Sequence, residues 1–213
     1  MKLYSHPRSG TNWIRALLCY AIYGEMKLAV SRTGHWSQRR DIRVSEKQVF
    51  GGHVFYDPTL PKRKVYLFRD GRDVALSMWK AKSLQHKNDA DLTFSQFIRK
   101  PLDWYGTPGK KLESGLNIIQ HWKRHLGSWR RAPDTYFLRY ENVLLHRRKE
   151  ITKIAKFAGF KIRRLPRMGA MGPDPSTNYR ASKWKDAYSK KDLDYFYRIV
   201  PKNHWGLYND HSL

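Results

Sequence analysis

A short run of small and hydroxyl-bearing residues near the N-terminus has the composition of an anion-binding loop. Residues 4–13 read Tyr-Ser-His-Pro-Arg-Ser-Gly-Thr-Asn-Trp. Gly10 permits close approach of the backbone to a ligand, and Arg8 supplies a fixed positive charge. Ser9 and Thr11 add hydroxyl donors. Taken alone, these residues are also typical of an ordinary strand-to-helix turn with a Ser or Thr cap, so the choice depends on the rest of the chain.

The elements on either side of this loop favour an anion site. A very short strand is predicted over residues 2–5, and a helix is predicted from Thr11 to Tyr23, where Gly24 suits its C-terminal end. A strand, a tight loop and a helix N-terminus direct backbone N–H groups and the positive end of the helix dipole at one point. That arrangement suits a phosphate or sulfate group.

Three further predicted strands, over residues 48–50, 64–68 and 135–140, each end beside a side chain that could bind a ligand. These side chains are His53, Arg69 and Tyr140. In a parallel sheet, ligands bind at the carboxyl ends of the strands. The three side chains and the Arg8 loop are therefore expected at one edge of the sheet.

The remaining pattern predicts helices between these strands. They start near residue 73 and cover about 94–99, 116–131, 151–157 and 191–200, with a Pro- and Gly-marked loop around Trp104 and Tyr105 and a surface loop over 165–178. Strands that alternate with helices predict an α/β fold with a central parallel sheet flanked by helices. The length of 213 residues predicts a single domain, 1–213.

Composition limits the partners. A formal net charge of +24 implies an anionic partner such as a nucleotide, a polyanionic acceptor, nucleic acid or a membrane surface. Cys19 is the lone cysteine, which excludes an internal disulfide and a cysteine-rich metal site. Because no signal-peptide layout and no membrane-spanning stretch is evident, a cytoplasmic location is expected.

The motif of ordinary kinases is missing. No G-x-x-x-x-G-K-[ST] sequence occurs, since Arg8 precedes Gly10 and no lysine follows it. Asp70 and Asp73 bracket a helix start, where capping explains them better than metal binding. A P-loop phosphotransferase is therefore disfavoured, and no metal is expected.

Several motifs together resemble the sulfotransferases that use 3′-phosphoadenosine 5′-phosphosulfate (PAPS). Residues 6–13, HPRSGTNW, resemble the family's PKSGTTW signature, and residues 64–77, KVYLFRDGRDVALS, resemble its second signature. Residues 122–129, residues 137–142 and the Trp184-Lys185 dipeptide are similar to later family segments, in the correct order. The chain is thus identified as a member of this family, whose fold is a P-loop-nucleotide-hydrolase-like α/β domain.

The resemblance implies roles for the donor-binding residues. The turn from Arg8 through Ser9 and Gly10 to Thr11 would hold the 5′-phosphosulfate, with Arg8 in the place of the usual lysine. The other implied contacts are a hydrogen bond from Asn12, adenine packing on Trp13, an adenine-edge contact from Tyr140, and 3′-phosphate binding by Arg69 and Ser77. Arg180 and Lys183 would supply the C-terminal part of the 3′-phosphate site in a shortened loop.

His53 matches the position of the family's catalytic histidine. An imidazole with a pKa near ~6.5 can accept the proton of an acceptor hydroxyl at neutral pH. Gly51 and Gly52 precede His53, whereas the family often has a lysine two residues before this histidine. His6, beside the loop, is the competing base.

The expected activity is sulfuryl transfer to a hydroxyl or amine, with PAPS as co-substrate. The rival is a basic nucleic-acid-binding protein, but it leaves the two ordered signatures unexplained. The acceptor stays open between a small molecule, a glycan and a peptide. An apolar or sugar-stacking pocket would use Trp36, Phe55, Tyr56, Trp104 and Tyr105. An acidic glycan or peptide would instead follow Lys80, Lys82, Lys87, Arg99, Lys110 and Lys111.

Overall fold

A computed structural model describes residues 1–24, 49, 52–81, 91–107, 110–165 and 182–201, with the backbone alone for 103–107 and 110–114. The strands are β1 (Lys2–Ser5), β2 (Lys64–Phe68), β3 (Leu102–Thr107), β4 (Lys110–Leu116) and β5 (Thr135–Arg139). The helices are α1 (Thr11–Tyr23), α2 (Gly71–Lys80), α3 (Phe94–Arg99), α4 (Ile118–Trp129), α5 (Tyr140–Ala158), a 3-10 helix at Lys183–Asp186, and α6 (Lys190–Ile199).

The central sheet is parallel and has the strand order β1-β2-β5. Alternate residues of each strand face opposite sides of this sheet. Leu3, Val65 and Leu138 join α1 and α5 in one apolar cluster. Tyr4 and Tyr66 join α2 and α4 in the other. Helices therefore cover both faces, and the predicted α/β fold with a flanked parallel sheet is confirmed.

A hairpin replaces the predicted loop around Trp104 and Tyr105. The strands β3 and β4 pair antiparallel, with Leu102 opposite Leu116 and several shifts of register between them. Trp104 and Tyr105 therefore lie in a strand rather than in an irregular loop. The loop prediction was wrong because a small two-stranded sheet with register shifts carries no regular alternation of apolar residues.

Two helices begin at places that differ from the predicted ones. Asp70 caps α2 by accepting a hydrogen bond from the Arg72 amide at 2.8 Å, so this helix begins at Gly71. Helix α5 begins at Tyr140, directly after β5 and well before the predicted start at residue 151. A non-helical residue, His146, interrupts α5, and this interruption masks the helical period of its first turns.

The segment that leads to His53 runs beside β1. The amide of Ser5 donates to the carbonyl of Gly52 at 3.1 Å. Of the predicted strand over 48–50, the structure describes Val49, which is buried and lies outside the described strands. The predictions for 25–47 and 166–178 fall outside the described residues. None of the described helices has the length and apolar character needed to cross a membrane.

Candidate active site

The turn between β1 and α1 has an unusual backbone. Arg8 and Gly10 both have positive φ angles, 66° and 91°. A left-handed conformation costs a non-glycine residue about 1–2 kcal/mol, and such residues cluster at ligand-binding sites. Gly10 lies directly on the ring of Tyr140, since a Cβ at this position would lie 2.7 Å from the Tyr140 Cδ2 atom. The close approach therefore requires glycine.

Replacement of Gly10 by Ala is expected to destabilise the protein by the left-handed φ angle and by the clash with Tyr140. Gly24→Ala is the matched control, because Gly24 has φ 78° and nothing within 4 Å of an added Cβ. Thermal unfolding should show a loss of about 2–4 °C for Gly24→Ala, corresponding to roughly 1 kcal/mol. Gly10→Ala should lose at least about twice as much. Equal losses would show that Tyr140 does not restrict this position.

The turn between β1 and α1 has hydrogen-bond donors that can bind an anion. The N-terminal cap of α1 is Gly10, which provides no side-chain acceptor for the amides of the first turn. The buried Ser9 Oγ has no hydrogen-bond partner within the part of the chain that the structure describes. Thr11 Oγ1 lies 2.5 Å from Ser5 Oγ. A helix N-terminus without a side-chain cap and the buried Ser9 hydroxyl fit a phosphate or sulfate group.

Arg69 and Ser77 lie directly against this loop. Arg8 Nε donates to Ser77 Oγ at 3.2 Å, and Arg69 Nη1 donates to the Arg8 carbonyl at 3.4 Å. The Arg69 guanidinium also lies over the Tyr140 ring, 4.7 Å from its centroid, and 3.7 Å from Asp73 Oδ2. The structure thus brings together four residues that the sequence placed in a common site.

Asp73 binds the C-terminal segment that begins at Ser182 to the same edge of the central sheet. Its two carboxylate oxygens accept hydrogen bonds from the amides of Ser182 and Trp184, both at 3.0 Å. Lys183 lies between these two residues and therefore beside the Arg69 end of the site. The Trp184 ring packs under the Arg72 guanidinium at 3.7 Å. Arg180 lies outside the described residues.

The partly buried Trp13 lies between two side chains. Its ring meets that of Tyr140 edge-on at 5.5 Å, and the Arg147 guanidinium lies 5.2 Å from the Trp13 ring. Tyr140 is 1% exposed. Asn12 is exposed at the first turn of α1. Arg147 was not expected from the sequence, because a single arginine in a basic helix carries no signal of its position.

His53 lies beside the loop in a defined tautomer. Its Nδ1 donates to the Ser5 carbonyl at 2.8 Å and lies 3.3 Å from Ser5 Oγ. Because Nδ1 carries the proton, Nε2 presents a lone pair. Burial lowers the pKa of His53 below its usual 6.5, so the imidazole is neutral at pH 7. Through Ser5, His53 is connected to Thr11 of the loop. The arrangement can accept a proton next to an anion site.

Three further histidines form a buried cluster behind the loop. His6 Nδ1 donates to the Pro7 carbonyl at 2.8 Å, and His121 Nδ1 donates to His6 Nε2 at 3.0 Å. His125 Nδ1 lies 2.8 Å from Tyr66 OH. Both nitrogens of His6, the competing base, are thus bonded within the protein. Among the described residues, no His, Cys, Asp and Glu side chains form a group that could hold a metal ion.

Burial keeps this cluster neutral. It lowers the pKa of His6 and of His125 well below 6.5, and it lowers the pKa of His121 to about 3. The spacing of His121 and His125, one turn apart on α4, indicates a shared helix face. The contact with His6, which lies 115 residues earlier, has no sequence signal.

Comparison with known proteins agrees with this fold. The profile of the sulfotransferase domain matches residues 53–183, more than half of the chain. A 3-alpha-hydroxysteroid sulfotransferase of Cavia porcellus is 23% identical over 180 residues, covering 75% of this chain and 58% of that protein. The chain therefore spans less than two thirds of the length of this relative.

Solved structures show the same fold. A mouse sulfotransferase complexed with PAP matches with a TM-score of 0.59 at 17% identity, covering 97% of this chain and 84% of that one. A retinol dehydratase in complex with androsterone and inactive cofactor PAP matches with a TM-score of 0.57 at 17% identity, covering 96% and 80%. With the domain profile matched over more than half of its length, the chain belongs to the sulfotransferase domain family.

Proposed function

We propose that the protein transfers a sulfuryl group from PAPS to a hydroxyl or amine of an acceptor. The observation that carries this proposal is the contact of the N-terminal loop with Arg69 and Ser77, in which Arg8 touches both residues. A nucleotide with phosphates on both its 3′ and 5′ positions needs cationic groups for both phosphates, and Arg8 and Arg69 lie together at one sheet edge. The solved relatives that hold PAP support the same nucleotide.

In this proposal the loop residues Arg8, Ser9, Gly10 and Thr11 bind the 5′-phosphosulfate, with Asn12 as a further donor. Arg69 and Ser77 bind the 3′-phosphate, together with Lys183 and Arg180 of the C-terminal segment. Trp13 and Tyr140 form the adenine side. The exposed guanidinium of Arg8 and the backbone amides at the N-terminus of α1 stabilise the negative charge that develops on the leaving phosphate oxygen.

His53 acts as the base. Its Nε2 accepts the proton of the acceptor hydroxyl while the hydroxyl oxygen forms a bond to sulfur. On the opposite side of sulfur, the bond to the 5′-phosphate oxygen breaks, and its electron pair leaves with adenosine 3′,5′-bisphosphate (PAP). The bond from Nδ1 to the Ser5 carbonyl keeps the ring in the required tautomer and orientation.

Nucleotide binding tests the donor site. By calorimetry, the wild type should bind PAP more tightly than ATP, because Arg69 and Ser77 meet a 3′-phosphate that ATP lacks. Arg69→Met should weaken PAP binding by about 10- to 100-fold, since a hydrogen bond to a charged group contributes roughly 1.5–3 kcal/mol. ATP binding should change little.

Arg131→Met is the matched control, because Arg131 is an exposed arginine before β5 and remote from the site. It should leave the affinity for both nucleotides unchanged. Equal binding of PAP and ATP, in the wild type and in Arg69→Met alike, would refute the proposed donor. Tighter binding of Mg-ATP than of PAP would instead favour a phosphotransferase.

A further inference from the structure

An open groove lies between α4 and α6 and is bordered by Phe55. We call it the basic groove; it has a volume of about 810 Å³. Its lining comprises Phe55, Gln120, Lys123, Arg124, Gly127, Ser128, Arg198 and Ile199. Pockets for small ligands have volumes of about 300–1,000 Å³, so the basic groove is large enough for an acceptor molecule or for the end of a longer chain.

The basic groove adjoins the segment that carries the proposed base. Phe55, two residues after His53, forms part of its wall. The Phe55 ring packs against His125 at 5.1 Å and His121 at 5.4 Å. Further along, the Tyr56 amide donates to Ser128 Oγ at 3.1 Å. The segment from His53 onwards is therefore fastened to α4, and the basic groove keeps a constant position relative to His53.

The side chains that line the basic groove carry positive charges and no negative charge. Three of the eight residues are cations and none is a carboxylate. Lys123 Nζ donates to the Ile199 carbonyl at 2.7 Å, which holds one positive charge at the junction of α4 and α6. Arg124 lies 5.8 Å from the Phe55 ring. Arg198 is exposed, and no carboxylate within the described ranges pairs with it.

We infer that the basic groove binds the acceptor and that the acceptor carries an anionic group, a carboxylate or a sulfate, beside an apolar or aromatic portion. This inference rests on the proposed sulfuryl transfer. Guanidinium groups bind carboxylates and sulfates through two parallel hydrogen bonds. Phe55 offers the apolar portion a ring to pack against. A basic surface that merely interacts with water would need neither the concave shape nor the aromatic wall.

Matched acceptor pairs test this inference. The probes are hydroxylated aromatic carboxylates, each paired with its methyl ester, and a uronic-acid oligosaccharide paired with its carboxyl-reduced form. Calorimetry with and without PAP measures binding, and mass spectrometry measures sulfuryl transfer from PAPS. The carboxylates should bind at least about 10-fold more tightly than their neutral partners. The aromatic pairs and the oligosaccharide pair distinguish a small-molecule acceptor from an acidic glycan.

Reversal of the charge at Arg198 is the second test of this inference. Arg198→Glu should lower the affinity for the carboxylates by at least about 10-fold and leave the neutral partners unaffected. Arg148→Glu is the matched control, because Arg148 is an exposed arginine on α5, outside the basic groove, and it should change neither. Circular dichroism establishes that both variants are folded.

Three outcomes would overturn the inference. They are equal binding of the charged and neutral partners, the binding of neither, and equal losses for both partners in Arg198→Glu. Failure of the proposed function has a different pattern: PAP does not bind and no sulfuryl transfer occurs, while the carboxylates still bind to the wild type and lose affinity in Arg198→Glu.

Discussion

Replacement of His53 by Ala is expected to lower kcat for sulfuryl transfer by about 10²- to 10⁴-fold, the range typical of a lost general base. His53 is the imidazole whose Nδ1 is bonded to the Ser5 carbonyl, leaving Nε2 to accept a proton beside the loop. The affinity for PAP should stay within about twofold of the wild type, because the hydrogen bonds of the His53 ring go to Ser5 of β1 and not to the loop itself. Single-turnover assays and calorimetry measure the two quantities separately.

The pH dependence adds a second test. The neutral imidazole is the active form, so kcat should fall as the pH drops through the pKa of His53. Burial lowers that pKa below 6.5, so the midpoint of the acidic limb of the wild type should lie below pH 6.5. The remaining activity of His53→Ala should lack this acidic limb.

His146→Ala is the control, because His146 is an exposed histidine on α5 that has no part in the proposed site. It should keep both the rate and the pH profile of the wild type. If His53→Ala retained nearly full activity, or if the acidic limb persisted in it, another group would be the base.

Strands and helices with a regular local pattern of apolar residues could be predicted from the sequence. The strand β2 is a continuous apolar run and α1 has a regular apolar period, and both have the expected bounds in the structure. The start of α5 was missed, because the interruption at His146 breaks the period. The hairpin of β3 and β4 was missed, because its register shifts leave no alternation to detect.

In the candidate site too, the sequence identifies local motifs but not the contacts between distant residues. The loop at Arg8 and the pair Arg69 and Ser77 follow recognisable local motifs, so the sequence could identify them. Their mutual contact depends on the parallel pairing of β1 with β2, which the order of elements indicates only in general terms. The contacts of Arg147 with Trp13 and of His6 with His121 join distant parts of the chain, and no local pattern reports them.

The buried histidine cluster should make the protein sensitive to acid. His6, His121 and His125 are 1%, 2% and 0% exposed. Burial is the largest cause that lowers each pKa, and for His6 and His125 the charge of a neighbouring histidine adds to it. In the unfolded chain all three would titrate near 6.5. Between the folded and unfolded pKa values, the unfolded state therefore binds more protons than the folded state.

The direction in which stability changes with pH follows from this difference in proton binding. The contribution of the cluster to stability is complete above pH 6.5 and is lost as the pH falls toward the folded pKa values, which for His121 is about 3. Each histidine contributes a slope of at most about 1.4 kcal/mol per pH unit in this window. Three together give at most about 4 kcal/mol per unit, which is large beside the roughly 5–15 kcal/mol that stabilises a typical domain.

Urea unfolding at pH 7.5, 6 and 5 measures the free energy of unfolding and its slope with pH. His121→Gln should remove about one third of the cluster's slope, because the glutamine amide stays neutral and can still donate to His6 Nε2. His146→Gln, at an exposed position, should leave the slope unchanged. A slope in His121→Gln equal to that of the wild type would mean that folding does not change the protonation of His121, although its burial opposes the charged form.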